Sequence, residues 1–317
     1  MITENIPFLS EKINILRNDT LRIKVTNRCP FQCNFCHHEG NAISQDLLID
    51  NKLIRALKIF RSDLALTQAH LTGGEPTCFK SCLCFIRTLK LLGFRVKMTS
   101  NGQFPKSILK RLQRAGLDGI NFSIHTLNPI KLGNIQKPMK NYEWGLKALG
   151  KQLGNLIASR QIGLNVKINT VVQNDSDILD IINFCKAEGI ELRILDDLNP
   201  MSLSIHRIIE ILTSMEATII GLNITEKSSG YSYDVISKDG FRFKVKSIRK
   251  NMLRTLCGDC RIRDNCTEWY YGIRMEQMGD DAWVRLCLHR QDFPALQKLD
   301  EFFESKQFCE LSEKEIT

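Results

Sequence analysis

Asn27-Arg-Cys-Pro-Phe-Gln-Cys-Asn-Phe-Cys-His-His-Glu-Gly40 brings three cysteines, Cys29, Cys33 and Cys36, into one short loop. A four-iron cluster normally takes four cysteine ligands, so three thiolates leave one iron open to a further ligand. Zinc is the alternative, because zinc sites also use cysteine and histidine, and His37 or His38 offers a fourth ligand. The loop alone therefore predicts a metal centre and leaves the metal open.

Length and composition set the broad class of the protein. The chain has 317 residues, of which 43% are hydrophobic and 25% are charged. We expect one large domain with an appendage and a well-buried core. No stretch has the length and composition of a signal peptide or a membrane span, which predicts a cytoplasmic protein without a membrane partner.

The cysteine count and the net charge limit the kinds of metal, substrate and macromolecule that the protein is expected to bind. Twelve cysteines in a reducing compartment favour metal binding over disulfides. A net charge of +9 suits either a phosphate-bearing substrate or nucleic acid. Because no long basic run is interleaved with aromatic residues, solvated surface charge is favoured and no specific nucleic-acid binding is expected.

Strand-like and helix-like segments alternate through the first 215 residues. The strands are predicted at 21–26, 69–72, 94–99, 119–124, 164–172 and 191–195, and the helices at 46–60, 81–92, 105–115, 142–153, 177–188 and 205–215. This order implies parallel strands and right-handed crossovers. Six such units fit a doubly wound sheet or an open barrel, and periodicity does not distinguish the two. The pattern changes after about residue 221, where 241–248 predicts a hairpin, so we place a domain boundary between 1–225 and 226–317.

Three further motifs lie where predicted strands end. Leu71-Thr-Gly-Gly-Glu-Pro76 follows the second strand, and its glycines permit close approach of a ligand while Glu75 offers an acceptor for an ammonium group. Thr99-Ser-Asn-Gly102 ends the third strand and Asn121-Phe-Ser-Ile-His125 ends the fourth. Short polar side chains in such places either bind a ligand or form turns and caps.

The cysteine spacing and the Gly-Gly-Glu-Pro turn about forty residues later resemble the radical S-adenosylmethionine (SAM) superfamily. The resemblance implies an α/β fold, a partial (β/α)6 TIM-type barrel with a small C-terminal auxiliary-cluster domain. It implies a [4Fe-4S] cluster on Cys29, Cys33 and Cys36, whose open iron binds SAM and which cleaves SAM to a 5′-deoxyadenosyl radical after reduction by a flavodoxin or ferredoxin type donor. The cofactor-binding positions implied by the resemblance are Phe35, Gly73, Gly74, Glu75, Ser100, Asn101, Ser123 and Leu198.

A narrower resemblance is to the MoaA family, the GTP 3′,8-cyclases of molybdenum-cofactor biosynthesis. It includes the opening Leu21-Arg-Ile-Lys-Val-Thr-Asn-Arg-Cys29, Lys167-Ile-Asn-Thr-Val-Val-Gln-Asn174 and Glu191-Leu-Arg-Ile-Leu195, and covers most of residues 20–200. It implies substrate contacts for Arg22, Thr99 and Lys167, and cationic side chains suit phosphate. His70 and His125 are further substrate candidates, although the family has a basic and an acidic residue there.

A second cysteine group comprises Cys257-Gly-Asp-Cys-Arg-Ile-Arg-Asp-Asn-Cys266 and Arg285-Leu-Cys-Leu288. Its chemistry alone fits zinc or an iron-sulfur cluster. The resemblance implies a second [4Fe-4S] cluster with Cys257, Cys260, Cys266 and Cys287 as candidate ligands, and substrate contacts for Arg261 and Arg263. In the cyclases three cysteines leave an iron that contacts the GTP base, whereas four would close this cluster.

These observations predict a radical SAM enzyme that takes a hydrogen atom from a small substrate, phosphorylated or sugar-containing, in a biosynthetic pathway. The GTP 3′,8-cyclase itself is one alternative, although the printed chain ends in Glu313-Lys-Glu-Ile-Thr317 rather than in Gly-Gly. A peptide-modifying radical SAM maturase is another. A zinc-binding scaffold without enzymatic activity is the third.

Overall fold

The structure is a computed structural model that describes residues 2–8, 12–36, 45–172, 175–197 and 204–313. His37, His38, Leu198 and residues 314–317, which the sequence analysis singled out, lie outside the described residues. No helix among the described residues is long and apolar enough to cross a membrane.

Thirteen strands of the described residues form one curled sheet. They are β1 (Ile13–Leu16), β2 (Thr20–Thr26), β3 (Gln68–Gly73), β4 (Arg95–Ser100), β5 (Gly119–Ser123), β6 (Asn165–Val171), β7 (Glu191–Leu195), β8 (Thr218–Thr225), β9 (Gly230–Ile236), β10 (Arg242–Ile248), β11 (Arg274–Met278), β12 (Asp281–Arg285) and β13 (Leu296–Lys298). The strand order is β1-β8-β9-β10-β7-β6-β5-β4-β3-β2-β11-β12-β13. Strands β2 to β7 are parallel neighbours in chain order, which confirms the partial barrel.

The helices that cover this arc connect its strands along the chain. The helices are α1 (Ile2–Asn5), α2 (Asn51–Asp63), α3 (Cys82–Leu91), α4 (Leu109–Ala115), α5 (Pro129–Asn134), α6 (Tyr142–Gln161), α7 (Asp175–Glu188), α8 (Ser204–Ser214), α9 (Arg254–Cys257), α10 (Leu299–Phe303) and α11 (Lys306–Ser312). Side-chain caps fix two of the starts: Asp50 accepts from the Leu53 amide at 2.7 Å, and Asn141 accepts from the Trp144 amide at 3.0 Å. Each predicted helix is present, and the additional helices are α1, α5, α9, α10 and α11.

Alternation along the strands explains the hollow barrel. In β2, Leu21, Ile23 and Val25 are fully buried, whereas Arg22 and Lys24 alternate with them. Successive side chains of a strand point to opposite faces. The apolar set packs in the core beneath the helices and the polar set faces the interior of the arc.

Residues after 225 lengthen the arc on both sides. Strand β10 pairs in parallel with β7, and β11 pairs in parallel with β2. Residues 242–248 form one strand, so the predicted hairpin at 241–248 is wrong: the hairpin is β9 with β10, and its turn lies at 237–241. Strands from both sides of residue 225 share the sheet, and a domain boundary there stays a prediction.

An aromatic contact joins the barrel to the C-terminal helices. The ring of Phe60 in α2 lies 6.0 Å from that of Phe302 and 5.2 Å from that of Phe303, both in α10. Phe60 and Phe302 are fully buried. This contact packs the last helices against the first βα unit, beside the strand that carries the cysteine loop.

Replacing Phe60 with alanine should lower the free energy of unfolding by about 3–5 kcal/mol, because it leaves a cavity between α2 and α10. Urea unfolding followed by circular dichroism measures this. Leu91→Ala is the matched control: Leu91 ends α3 at 89% exposure, and its removal should change stability by no more than about 0.5 kcal/mol. Equal effects of the two changes would contradict the packing described here.

Candidate active site

A cavity of about 850 Å³ occupies the interior of the arc. Cys29, Cys33 and Cys36 line it where the strands end, as do Phe35, Gly73, Gly74, Asn101, Ser123 and His125. Arg22, His70, Thr99 and Lys167 line it deeper inside. In parallel barrels the C-terminal strand ends carry the chemistry, so most of the predicted site residues meet where that rule places them.

The three-cysteine loop is held by the segment that follows α5. The side-chain Oε1 of Gln136 accepts from the backbone amide of Gln32 at 2.8 Å, and Nε2 of Gln136 lies 3.6 Å from the Cys33 sulfur. The Asn101 side-chain amide donates to the Cys29 sulfur at 3.3 Å. Hydrogen bonds to cluster sulfurs help to set reduction potential, so Gln136 and Asn101 occupy positions that tune a bound cluster.

Two thiols of this loop, those of Cys29 and Cys33, are half-buried, and the third, that of Cys36, is exposed. Burial, with a smaller contribution from the neighbouring Cys36, raises the pKa of Cys29 to about 12 and that of Cys33 to about 11. Metal binding stabilises thiolates over thiols, so such a group is stabilised when iron replaces the protons. The donor set therefore fits the cluster. Across the described residues, no three His, Cys, Asp or Glu side chains are grouped so as to hold a single metal ion.

The Gly-Gly-Glu turn packs directly against the base of the cysteine loop. The Gly74 amide donates to the Thr26 carbonyl at 2.9 Å, and the Glu75 amide donates to the Arg28 carbonyl at 2.8 Å. A Cβ on Gly74 would lie 2.3 Å from the Arg28 carbonyl oxygen and 2.8 Å from the Cys29 Cβ. Gly73 has a φ of 134°, which other residues rarely adopt. Both glycines are therefore required by the backbone itself.

The side chain of Glu75 does not lie in the cavity, where the sequence analysis expected it to accept a hydrogen bond from a ligand's ammonium group. It is fully buried, and the structure does not bring it to the cavity lining. Its carboxylate accepts from the Asn101 amide at 2.8 Å and from the hydroxyls of Ser100 and Thr77 at 2.9 Å and 2.8 Å. Burial raises its pKa, and these bonds oppose that rise. Glu75 and Ser100 thus tie the end of β3 to the end of β4.

His125 and Phe35 meet on the opposite side of the cysteine loop. Their rings pack edge to face with centroids 4.9 Å apart. The Val171 amide donates to His125 Nδ1 at 3.1 Å, so the neutral ring carries its proton on Nε2. Burial lowers the pKa of His125 to about 4. His125 is therefore a neutral hydrogen-bonding side chain at neutral pH.

Four cations converge deeper in the cavity. Arg22, Lys97, Arg193 and Lys246, here called the basic cluster, all line it. Burial is the largest cause that holds the pKa of His70 well below its usual range, and these four charges lower it further. His70 Nε2 lies 2.7 Å from the Thr99 hydroxyl. Lys167 lies beside the cluster and pairs with Glu191 at 3.0 Å.

Arg274 extends the basic cluster. It lies on β11, directly opposite Arg22 of the neighbouring strand β2 in the sheet register. One of its nitrogens lies 2.7 Å from Glu268, while its Nε and a second terminal nitrogen are buried without a hydrogen-bond partner among the described residues. Asn169 Oδ1 and Gln152 Oε1, from other cavity-lining residues, are likewise buried without a partner. Buried polar atoms are normally hydrogen-bonded, so these atoms mark where a ligand would bind.

The second cysteine group lies outside the cavity lining. The pKa of Cys257 is raised by burial and then by Cys266 and Cys260, and burial raises that of Cys287 to about 11, with Cys266 adding to it. The four thiols are thus neighbours. Glu310 of α11 accepts from the amides of Arg254 and Thr255, so the C-terminal helix holds the short helix that ends in Cys257.

Arg261 and Arg263 do not reach the cavity. Both are exposed, and Arg263 bonds the Gly258 carbonyl at 3.1 Å and pairs with Asp264 at 3.3 Å. They belong to the surface loop between Cys260 and Cys266, which turns away from the barrel interior. Arg274, which the sequence analysis overlooked, is the arginine that the C-terminal segment places in the cavity.

Sequence analysis also missed Lys97, Arg193 and Lys246. The three share a signal: each is a cation between apolar residues of a strand, as in Glu191-Leu-Arg-Ile-Leu195. Strands of a parallel sheet are normally covered on both faces and read as continuous apolar runs. A cation on such a strand indicates an interior that is not filled by apolar side chains.

Comparison with known proteins agrees with this geometry. The model of the radical SAM superfamily matches residues 23–186, from β2 through α7. The chain belongs to the radical SAM superfamily. The protein is accordingly a radical SAM enzyme.

Relatives by sequence are GTP 3′,8-cyclases. The chain is 29% identical over 289 residues to the GTP 3′,8-cyclase of Aquifex aeolicus (strain VF5), covering 86% of each chain. It is 33% identical over 189 residues to the probable GTP 3′,8-cyclase of Sulfurisphaera tokodaii, covering 58% of each chain. The match thus spans little more than half the length of that archaeal relative.

Solved structures share the fold at low sequence identity. Streptococcus suis SuiB bound to S-adenosylmethionine has a TM-score of 0.56 and 16% identity, with 93% of this chain and 68% of SuiB covered. The protein anSMEcpe with bound AdoMet has a TM-score of 0.55 and 15% identity, with 92% and 82% covered. These similarities confirm the barrel fold.

Gly74→Ala should prevent stable iron loading of the cysteine loop, because the added methyl group overlaps the Arg28 carbonyl. Iron and sulfide analysis after anaerobic reconstitution measures this, and we expect about four irons fewer per chain than in the unmodified protein. Gly154→Ala in α6 is the control, since nothing lies within 4 Å of the added atom. Full loading of Gly74→Ala would show that the close contact is not needed.

Proposed function

We propose that the enzyme cleaves SAM at a [4Fe-4S] cluster on Cys29, Cys33 and Cys36 and takes a hydrogen atom from a small phosphorylated substrate, a nucleotide or a sugar phosphate. The observation that carries the substrate class is the basic cluster inside the cavity. Reduced flavodoxin or ferredoxin is the type of electron donor that such a cluster requires.

Electrostatics favour an anionic ligand at the basic cluster. Arg22, Lys97, Arg193 and Lys246 are close enough to depress the pKa of one histidine together, and they repel each other in a site shielded from water. Arg274 adds donors that have no partner in the part of the chain that the structure describes. A phosphate group satisfies charge and donors at once, because guanidinium groups bind phosphate with two hydrogen bonds.

SAM would bind at the other end of the cavity, beside the cysteine loop. When bound, the cluster and SAM supply the 5′-deoxyadenosyl radical. Glu75 is buried away from the cavity, so the backbone at Gly73 and Gly74, rather than the Glu75 carboxylate, would contact the amino group of SAM. Ser123 and Asn101 offer polar contacts, and Phe35 with His125 would exclude water from the reacting groups.

For the second cysteine group we propose a [4Fe-4S] cluster bound by Cys257, Cys260, Cys266 and Cys287. Two observations support a cluster that does not bind substrate. The four thiols suffice for four irons, and they lie outside the cavity lining, where the buried pair of Glu268 and Arg274 faces the ligand instead. Such a cluster would carry electrons or brace the C-terminal segment.

GTP 3′,8-cyclisation is the second candidate, favoured by the match over 86% of the Aquifex aeolicus enzyme. The surface position of Arg261 and Arg263 weighs against a substrate base bound at the second cysteine group. Incubation of the reduced enzyme with SAM and GTP distinguishes the two: a cyclised GTP product supports the cyclase. Stimulation of SAM cleavage by another phosphorylated compound, without a product from GTP, supports the broader proposal.

Reductive cleavage of SAM is the first test. The reconstituted protein, given SAM and dithionite without oxygen, should form 5′-deoxyadenosine, measured by chromatography with mass detection. Cys33→Ala should lower this to about 1% or less, because it removes a thiolate from the cluster. Cys84→Ala, at an exposed position of α3, should leave it unchanged. No 5′-deoxyadenosine from the iron-loaded protein would contradict the proposal.

Anion binding tests the basic cluster. Arg193→Met and Lys97→Met should each weaken binding of inorganic triphosphate about 10- to 100-fold, since a charged hydrogen bond contributes about 1.5–3 kcal/mol. Titration calorimetry measures this, and binding to the unmodified protein should weaken as salt is added. Lys110→Met, an exposed change in α4, serves as the control. Equal affinities for all three variants would remove the support for a phosphorylated substrate.

A further inference from the structure

Tyr271 fills the opening that the sheet leaves in the barrel. Strand β10 pairs with β7 and β11 pairs with β2, and the sheet order gives no pairing between β10 and β11. Tyr271 lies just before β11 and lines the cavity there. Its hydroxyl is 2.5 Å from Lys246 Nζ, which also lies 4.2 Å from the centre of its ring. Tyr271 therefore touches the basic cluster across the open seam.

Four cations, a neutral histidine and a carboxylate surround Tyr271. They are Lys246 from β10, Arg22 from β2, Arg193 from β7, His70 from β3, Arg274 with its guanidinium 5.4 Å from the ring centre, and Glu268, which pairs with Arg274. The three arginines cannot lose their charge at any ordinary pH. Their net charge favours a negative group at the phenol oxygen.

The charge of Lys246, with Arg22 and Arg193 behind it, lowers the pKa of Tyr271 to about 7, although burial opposes the shift. His70 does not titrate in this range, because burial and the same cations hold its pKa well below its usual value. Burial lowers the pKa of Lys246 as well, while its contact with Tyr271 opposes that shift, so the two groups titrate as a coupled pair in which the phenol has the pKa near neutral.

We propose that Tyr271 is the built-in counter-anion of the substrate site: its phenolate neutralises the basic cluster in the free enzyme, and on binding of an anionic ligand it takes up one proton from solvent and donates its O–H. The step moves one proton from solvent to the phenolate oxygen and changes no oxidation state. This inference rests on the anion site of the proposed function and is independent of SAM cleavage.

The pH dependence of binding follows from charge. Below the pKa of Tyr271 the phenol is neutral, and an anion binds without change in protonation. Above it, the phenolate repels the anion until it is protonated, so affinity should fall about tenfold per pH unit. By reciprocity, the bound anion lowers the acid dissociation constant of Tyr271 by the same factor by which the phenolate weakens anion binding, so the pKa rises by the logarithm of that factor.

Sulfate is the probe, because it does not itself titrate near neutral pH and mimics a phosphoryl group. Its binding to the reconstituted protein is measured by calorimetry between pH 6 and 8.5, in two buffers with different ionisation enthalpies. We expect uptake of about one proton per sulfate at pH 8.5 and little at pH 6. Tyr271→Phe should abolish both the uptake and the pH dependence. Tyr142→Phe, at a 53% exposed position, should behave like the unmodified protein.

If circular dichroism shows that Tyr271→Phe does not fold, Lys246→Met is the second variant that tests the proposal. It removes the main cause of the low pKa, so the fall in affinity should move to higher pH. Sulfate binding without proton uptake, or uptake that persists in Tyr271→Phe, would overturn the inference. If sulfate does not bind at all, the basic cluster is not an anion site, and the substrate class proposed above fails with it.

Discussion

The active site depends on the contact between two backbone segments, the Gly73-Gly74-Glu75 turn and the base of the three-cysteine loop. Their amides and carbonyls bond at 2.8 Å and 2.9 Å, and no room is left for a side chain at Gly74. The buried Glu75 carboxylate extends the same network to β4. The position of all three thiols relative to the cavity follows from this junction.

A second constraint comes from the hollow interior. Parallel barrels usually fill their centre with layers of branched apolar side chains. Here strands β2, β4, β7 and β10 place cations there, and the apolar core is confined to the layer between sheet and helices. Concentrated like charge destabilises a folded chain, so its presence in a cavity marks a binding function. The internal phenol of Tyr271 offsets part of that charge.

The sequence predicted the fold well because its signals are local. Alternation of strands and helices, the capping residues and the two glycines each act within a few residues. It could not show which side of a turn a side chain takes, so it placed Glu75 against the ligand, whereas desolvation and four neighbouring donors hold it in the interior. It also favoured Arg261 and Arg263 by their nearness to Cys260, whereas sheet pairing brings Arg274 beside Arg22 from much farther along the chain.

The central claim is that the three-cysteine loop holds a four-iron cluster with one iron open to SAM, and electron-nuclear double resonance of the reduced protein tests it most directly. With SAM labelled by 15N at its amino group, the account predicts a hyperfine coupling between that nitrogen and the cluster, absent in Cys33→Ala. A cluster signal that SAM leaves unchanged, or a protein that holds zinc in place of iron, would contradict it.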